Sequence, residues 1–134
     1  MLNKASFATL VVVKNMDRAV NFYTKKLGGK LQMRAEGEMK NMWASIKVGK
    51  EDFWMIRPPG PAPKKLDLAY STFIVKDIKK EVADLRKKGI RFQKGEKMGE
   101  DSKVDGPIVT DPFGATAFFN DSEGNLMMLW EDVS

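Results

Sequence analysis

The sequence predicts an α+β fold made of two strand–helix–strand–strand–strand modules. Three observations carry this reading. The stretch Val13-Lys14-Asn15-Met16 is matched by Val75-Lys76-Asp77-Ile78, 62 positions later, and Val20 then falls on Val82 and Lys25-Lys26 on Lys87-Lys88. A second correspondence, offset by 73, sets Ala44 on Ala117, Ile46 on Phe119 and Phe53-Trp54-Met55-Ile56 on Leu126-Met127-Met128-Leu129. Between the copies lies Pro58-Pro59-Gly60-Pro61-Ala62-Pro63, with four of the six prolines. Proline cannot donate to a sheet ladder, so this segment reads as a semi-rigid linker between two repeats.

Module one spans 1–57. Its first strand is the apolar, β-branched run Thr9 to Val13. Asn15 follows as a helix cap, because its side-chain oxygen can accept from an otherwise orphan backbone N–H. Met16, Ala19, Val20, Tyr23 and Leu27 recur at helical spacing, and Gly28-Gly29 stops the helix in the manner of a left-handed cap. Two apolar strands then flank the polar turn Gly49-Lys50-Glu51-Asp52. The linker is 58–65 and module two is 66–134. There the strand from Thr72 to Val75 leads to the cap Asp77, the helical residues Ile78, Val82 and Leu85, and the stop at Gly89. The change of offset implies about eleven extra residues, placed in the polar, glycine-rich stretch from Gly95 to Gly106, which reads as a loop. The last strands flank Ser122-Glu123-Gly124-Asn125. A module of about 60 residues buries too little surface to stand comfortably alone. Two are expected to pair, within one chain or across a dimer, with their sheets enclosing a common surface.

The 134 residues include no Cys and no His. That excludes a disulfide framework, a cysteine nucleophile, a Ser-His-Asp triad and imidazole metal ligands. Acid–base chemistry falls to carboxylates, Lys or Tyr. The net charge is +5, but the Lys pairs are scattered and interleaved with acidic residues, as on solvated helix faces. Trp43, Trp54 and Trp130 are not interleaved with basic clusters, so no nucleic-acid partner is expected. No apolar run approaches the roughly 20 residues of a membrane span, and the start of the chain reads as a strand. The expected compartment is the cytoplasm.

Val13-x-Asn15-Met16-x-x-Ala19-Val20-x-Phe22-Tyr23-x-x-x-Leu27-Gly28 resembles the opening signature of the vicinal oxygen chelate superfamily, the glyoxalase I, bleomycin-resistance and extradiol-dioxygenase group. Asp121-Ser122-Glu123-Gly124-Asn125-Leu126-Met127-Met128-Leu129 resembles its closing signature, and Asp111-Pro112-Phe113-Gly114 also fits many bacterial members. The resemblance covers nearly the whole chain. It implies paired βαβββ modules, each a curled mixed sheet with its helix outside, and a ligand cavity between them. It also implies a homodimer.

In metal-using members the resemblance places a His or Gln in each first strand and a Glu in each last strand. Carried over by register, those positions are Ala8, Tyr70, Met55 and Met128. A one-residue slip offers Phe7, Thr9, Trp54 or Met127, or Ala69 or Ser71 in the second module. None replaces a His or Glu ligand of a divalent metal. No metal and no other cofactor is therefore expected.

Strand residues alternate faces, so each register also assigns side chains. With Ala8 inward, Leu10 and Val12 follow; with Tyr70, Thr72 and Ile74 follow. Met55 brings Phe53 and Arg57, and Met128 brings Leu126 and Trp130. Val11, Val13, Phe73, Val75, Trp54, Ile56, Met127 and Leu129 are then left for the helices. The expected ligand-binding residues are Ala8, Leu10, Met55, Arg57, Tyr70, Thr72, Met128 and Trp130. Arg57 suits a carboxylate or phosphate, though it can equally be a solvated strand end. Met55 and Met128 can equally fill a closed core. Trp130 could belong to a dimer contact, and the facing of Trp43 stays open. The leading functional expectation is a metal-free protein that encloses a neutral or anionic hydrophobic or aromatic molecule. The alternative is a glyoxalase-like lyase or dioxygenase-related enzyme acting without the usual metal, with Tyr70 as acid or base.

Overall fold

The computed structural model describes residues 2–4, 9–57, 71–97, 99–112 and 114–133. The chain divides into two units, Met1–Lys64 and Lys65–Ser134. The linker expected at 58–65 lies outside the described residues.

In the first unit, strand β1 (Leu10–Val12) is followed by helix α1 (Met16–Asn21) and strands β2 (Lys30–Arg34), β3 (Trp43–Val48) and β4 (Glu51–Ile56). The sheet order is β1-β4-β3-β2, with β1 parallel to β4 and the other pairs antiparallel. Asn15 caps α1 as expected, its side-chain oxygen accepting from the Arg18 N–H at 3.0 Å. The helix does not run unchanged to Leu27. It widens into a π-helical turn, Phe22–Lys26, closed by the Leu27 N–H donating to the Phe22 carbonyl at 3.2 Å. This turn carries the consecutive residues Phe22 and Tyr23, and both are buried, their rings edge-to-face at 5.4 Å. Gly28 then ends it with φ of +76°. At Gly29 an added Cβ would lie 2.8 Å from Ile46 Cγ2 and 2.9 Å from the Tyr23 carbonyl, so glycine lets the helix end close on β3. The core of the unit is Val11, Val13, Met16, Ala19, Val20, Tyr23, Ala44, Ile46 and Met55.

Arg34, at the end of β2, ties the loop beyond it to α1. Its Nη2 donates to Asp17 Oδ1 at 2.6 Å and to Asn41 Oδ1 at 3.2 Å, and its Nε donates to the Lys40 carbonyl at 3.1 Å. The hydrogen bond and charge of Arg34 hold the Asp17 carboxyl below the usual carboxylate range. A depressed folded-state pKa adds stability above the unfolded pKa, lost as pH falls through the folded one. Thermal melts of wild type and Asp17→Asn should therefore differ at neutral pH, with wild type the higher, and converge in strong acid. Because the pair is exposed, the gap should also narrow with added salt.

The second unit runs β5 (Ser71–Ile74), α2 (Ile78–Lys87), β6 (Lys103–Asp105), β7 (Ile108–Thr110), β8 (Gly114–Asn120) and β9 (Leu126–Asp132). Its sheet order is β5-β9-β8-β7-β6, with β5 parallel to β9. Asp77 caps α2 by accepting from the Lys80 N–H at 3.1 Å, and Glu131 of β9 accepts from the Ile78 N–H at 2.9 Å. Gly89 ends the helix with φ of +88°.

The extra segment differs from the loop expected at Gly95 to Gly106. Phe92 bridges to Phe119, the chain leaves the sheet, and it returns as β7 beside the same strand, β8. The excursion itself holds β6, joined to β7 through Gly106-Pro107 with Gly106 at φ of +61°. The Ser102 hydroxyl pins it, accepting from the Gly99 N–H at 3.0 Å and donating to the Asp111 carboxylate. The β8–β9 hairpin closes on Asp121, whose Oδ1 accepts from the backbone N–H groups of Glu123 and Asn125 at 2.8 Å. Among the described residues no helix is long and apolar enough to cross a membrane.

Candidate functional site

Each sheet has one face that packs on its own helix and one that does not. In the first unit α1 lies against β3, and Tyr23 meets Phe53 edge-on at 5.0 Å. Residues paired across strands share a face. Met55 is paired with Val11 and Ala44, and Phe53 with Ile46, so all of these lie on the helix side. The other face carries Leu10, Trp54, Ser45 and Met33 in one row, and Val12, Ile56 and Trp43 in the next. Trp43 and Trp54 form a tilted pair, with ring centroids 5.2 Å apart and planes at 53°. Leu10 and Met33 are largely exposed, the two indoles are half-buried, and Ser45 is buried.

In the second unit Glu131, which caps α2, and Met127, Leu129, Ala117 and Phe119 belong to the helix side. The helix-free face carries Thr72, Met128 and Phe118 in one row and Ile74, Trp130, Thr116 and Val109 in the next. Ile74, on the edge strand, is 78% exposed. Gly114 adjoins this row: a Cβ there would sit 2.7 Å from Trp130 Cε2. The indole thus rests on bare backbone.

The expected binding residues separate accordingly. Leu10 lies on the helix-free face of its sheet, as do Thr72, Met128 and Trp130 on theirs. Ala8 and Tyr70 lie outside the described residues. Met55 requires correction: it is fully buried, opposite Val11, on the helix side. Phe53 is displaced with it, and Trp54 and Ile56 take the face expected for them. Arg57 is an exposed residue just beyond β4, in step with Met55 rather than Trp54, and its backbone N–H donates to the Met42 carbonyl at 2.9 Å.

The cause is one residue in a turn. The first hairpin pairs Val48 with Glu51 across Gly49-Lys50. In the second, the rung equivalent to Val48–Glu51 joins Asp121 to Asn125, where the Asp121 N–H donates to the Asn125 carbonyl at 2.9 Å, across three residues. The last strands are thus related by one residue more than the strands before them. A slip of one flips every side chain to the other face. Trp54, opposite Leu10, is the counterpart of Met128, opposite Thr72.

A family model described as Glyoxalase/Bleomycin resistance protein/Dioxygenase superfamily matches residues 6–129. The chain belongs to this superfamily. Among solved structures, the glyoxalase family protein from Enterococcus faecalis is similar at 24% identity and a TM-score of 0.71, covering 98% of this chain and 100% of that one. TnmS3, an antibiotic binding protein from Streptomyces sp. CB03234, is similar at 22% identity and a TM-score of 0.69, covering 96% and 98%. TioX from Micromonospora sp. ML1 is similar at 15% identity and a TM-score of 0.68, covering 97% and 98%. The comparison with curated proteins finds no match. The α+β fold with glyoxalase-like units expected from the sequence is the fold of this superfamily member.

The last-strand metal positions implied by the resemblance do not fit a metal. The last-strand positions, corrected for register, hold Trp54 and Met128; an indole N–H is a donor only and a thioether is a poor ligand for a hard divalent ion. Among the described residues no group of three His, Cys, Asp or Glu side chains gathers.

Proposed function

We propose that this superfamily member is a small-molecule-binding protein that holds a neutral or anionic aromatic molecule on a helix-free sheet face, without a metal. The observation that carries the reading is the placement of the tryptophans. All three in the chain, Trp43, Trp54 and Trp130, lie on these faces beside Leu10, Ile56, Phe118 and Met128. Large aromatic side chains normally supply core volume. Here that volume comes from Tyr23, Phe119, Met55 and Met127, while every indole is turned to the face that its own helix does not cover. Half-buried indoles among aliphatic neighbours suit a planar, mostly apolar ligand. The net charge of +5 favours an anion over a cation. The likeness to an antibiotic binding protein supports binding as the activity.

A thermal-shift screen of planar hydrophobic acids and neutral polycyclic compounds tests the proposal. Saturating stabilisation by at least one aromatic compound is expected, with about 3 kcal/mol gained at a hundredfold excess over Kd. No stabilisation across a broad panel overturns it. Turnover of the methylglyoxal–glutathione adduct by protein carrying stoichiometric metal would replace binding with catalysis.

A further inference from the structure

Thr116 stands in the middle of β8 on the helix-free face, opposite Trp130 on one side and Val109 on the other. Its Oγ1 is buried and has no hydrogen-bond partner among the described residues. Buried hydroxyls are nearly always paired, since one taken from water without a partner lowers stability. Valine has the same shape and would remove that penalty. The hydroxyl is thus kept at a position where the fold does not use it.

Its surroundings say what could use it. The Trp130 side chain starts from the directly opposed position, and its indole lies across Gly114, two residues from Thr116 along β8. Phe118 is two residues away in the other direction, on the same face, with Met128 opposite it. The unpaired oxygen therefore sits within an aromatic and thioether surface. That surface can hold a flat ring, and the Thr116 hydroxyl supplies an unpaired oxygen within it.

We infer that Thr116 Oγ1 is the hydrogen-bonding anchor for a phenolic or carbonyl oxygen on an aromatic ligand that packs against Trp130. This rests on the proposed binding function and specifies its ligand: a ring system carrying an oxygen at one edge. The oxygen is covered by its neighbours, so the ligand reaches it by displacing one of them. Trp130, resting on glycine backbone rather than on an interlocking side chain, is the neighbour that turns away.

The probes are naphthalene and 2-naphthol, which differ by one hydroxyl. Calorimetric titration of wild type should show 2-naphthol bound roughly tenfold more tightly, the value of one hydrogen bond to an otherwise unpaired buried group. Thr116→Val should bind both probes alike and melt about 3 °C higher. Thr116→Ser, which keeps the hydroxyl, should retain the preference. A wild type that binds both probes equally overturns the anchor and leaves the binding function standing. A Val variant that keeps the preference, or that melts lower, overturns it too, the latter by showing the hydroxyl already paired. Failure of both probes to bind counts against the anchor and the proposed function together.

Discussion

Met55→Lys is expected to unfold the first unit. Met55 is fully buried, paired with Val11 on one side and Ala44 on the other, in the layer that Phe53 and Tyr23 close against the helix. An ammonium there loses its hydration among aliphatic and aromatic groups. The loss should be about 4 kcal/mol or more, a large part of the stability of a domain this size. Met55→Leu, which keeps volume and polarity, should cost about 1 kcal/mol. Circular dichroism during urea titration separates the outcomes. A Met55→Lys protein that melts near wild type would place the side chain on the helix-free face and reverse the register argued from the hairpins.

Trp54→Ala should have the opposite profile, with modest loss of stability and large loss of binding. The Trp54 indole is half-buried and stacks at an angle on Trp43, directly beside Leu10 and Ser45. Truncating an aromatic anchor at the centre of a binding surface commonly costs about 2 kcal/mol or more, or roughly 30-fold in affinity. The measurement is the Kd of the strongest stabiliser from the thermal-shift panel, for wild type, Trp54→Ala and Trp43→Ala. Unchanged affinity in both variants would remove the first unit from the binding surface.

Much of this organisation is readable in the sequence because local chemistry dictates it. Asn15 and Asp77 are good caps in any context, and each accepts from the N–H three residues on. Gly28 and Gly89 both adopt the positive φ that the end of a helix favours. Thr72, Met128 and Trp130 share a face because alternation is fixed once the register is fixed. Register is the part that local pattern does not supply. The two hairpins look alike in sequence, yet one turns in two residues and the other in three, with Gly124 at φ of +86° as the third. A glycine at that position is the mark of a three-residue turn. Given that weight, it moves Trp54 and Ile56 onto the helix-free face and sends Met55 to the core. The strand β6 was hidden for a related reason. Its three residues are all exposed, and Lys103-Val104-Asp105 carries too little apolar pattern to stand out from the polar segment around it.

The most direct test of the account is a ¹H–¹⁵N spectrum of the tryptophan indoles. The chain has three, so the region contains three resonances, each reporting on a helix-free face. Titration with the strongest stabilising aromatic acid should saturably shift the indole signals of the face that holds it, Trp43 and Trp54 in the first unit or Trp130 in the second, leaving the amide of Tyr23, in the buried helical turn, nearly unmoved. Saturable binding that leaves all three indoles in place and moves the core amides would contradict it.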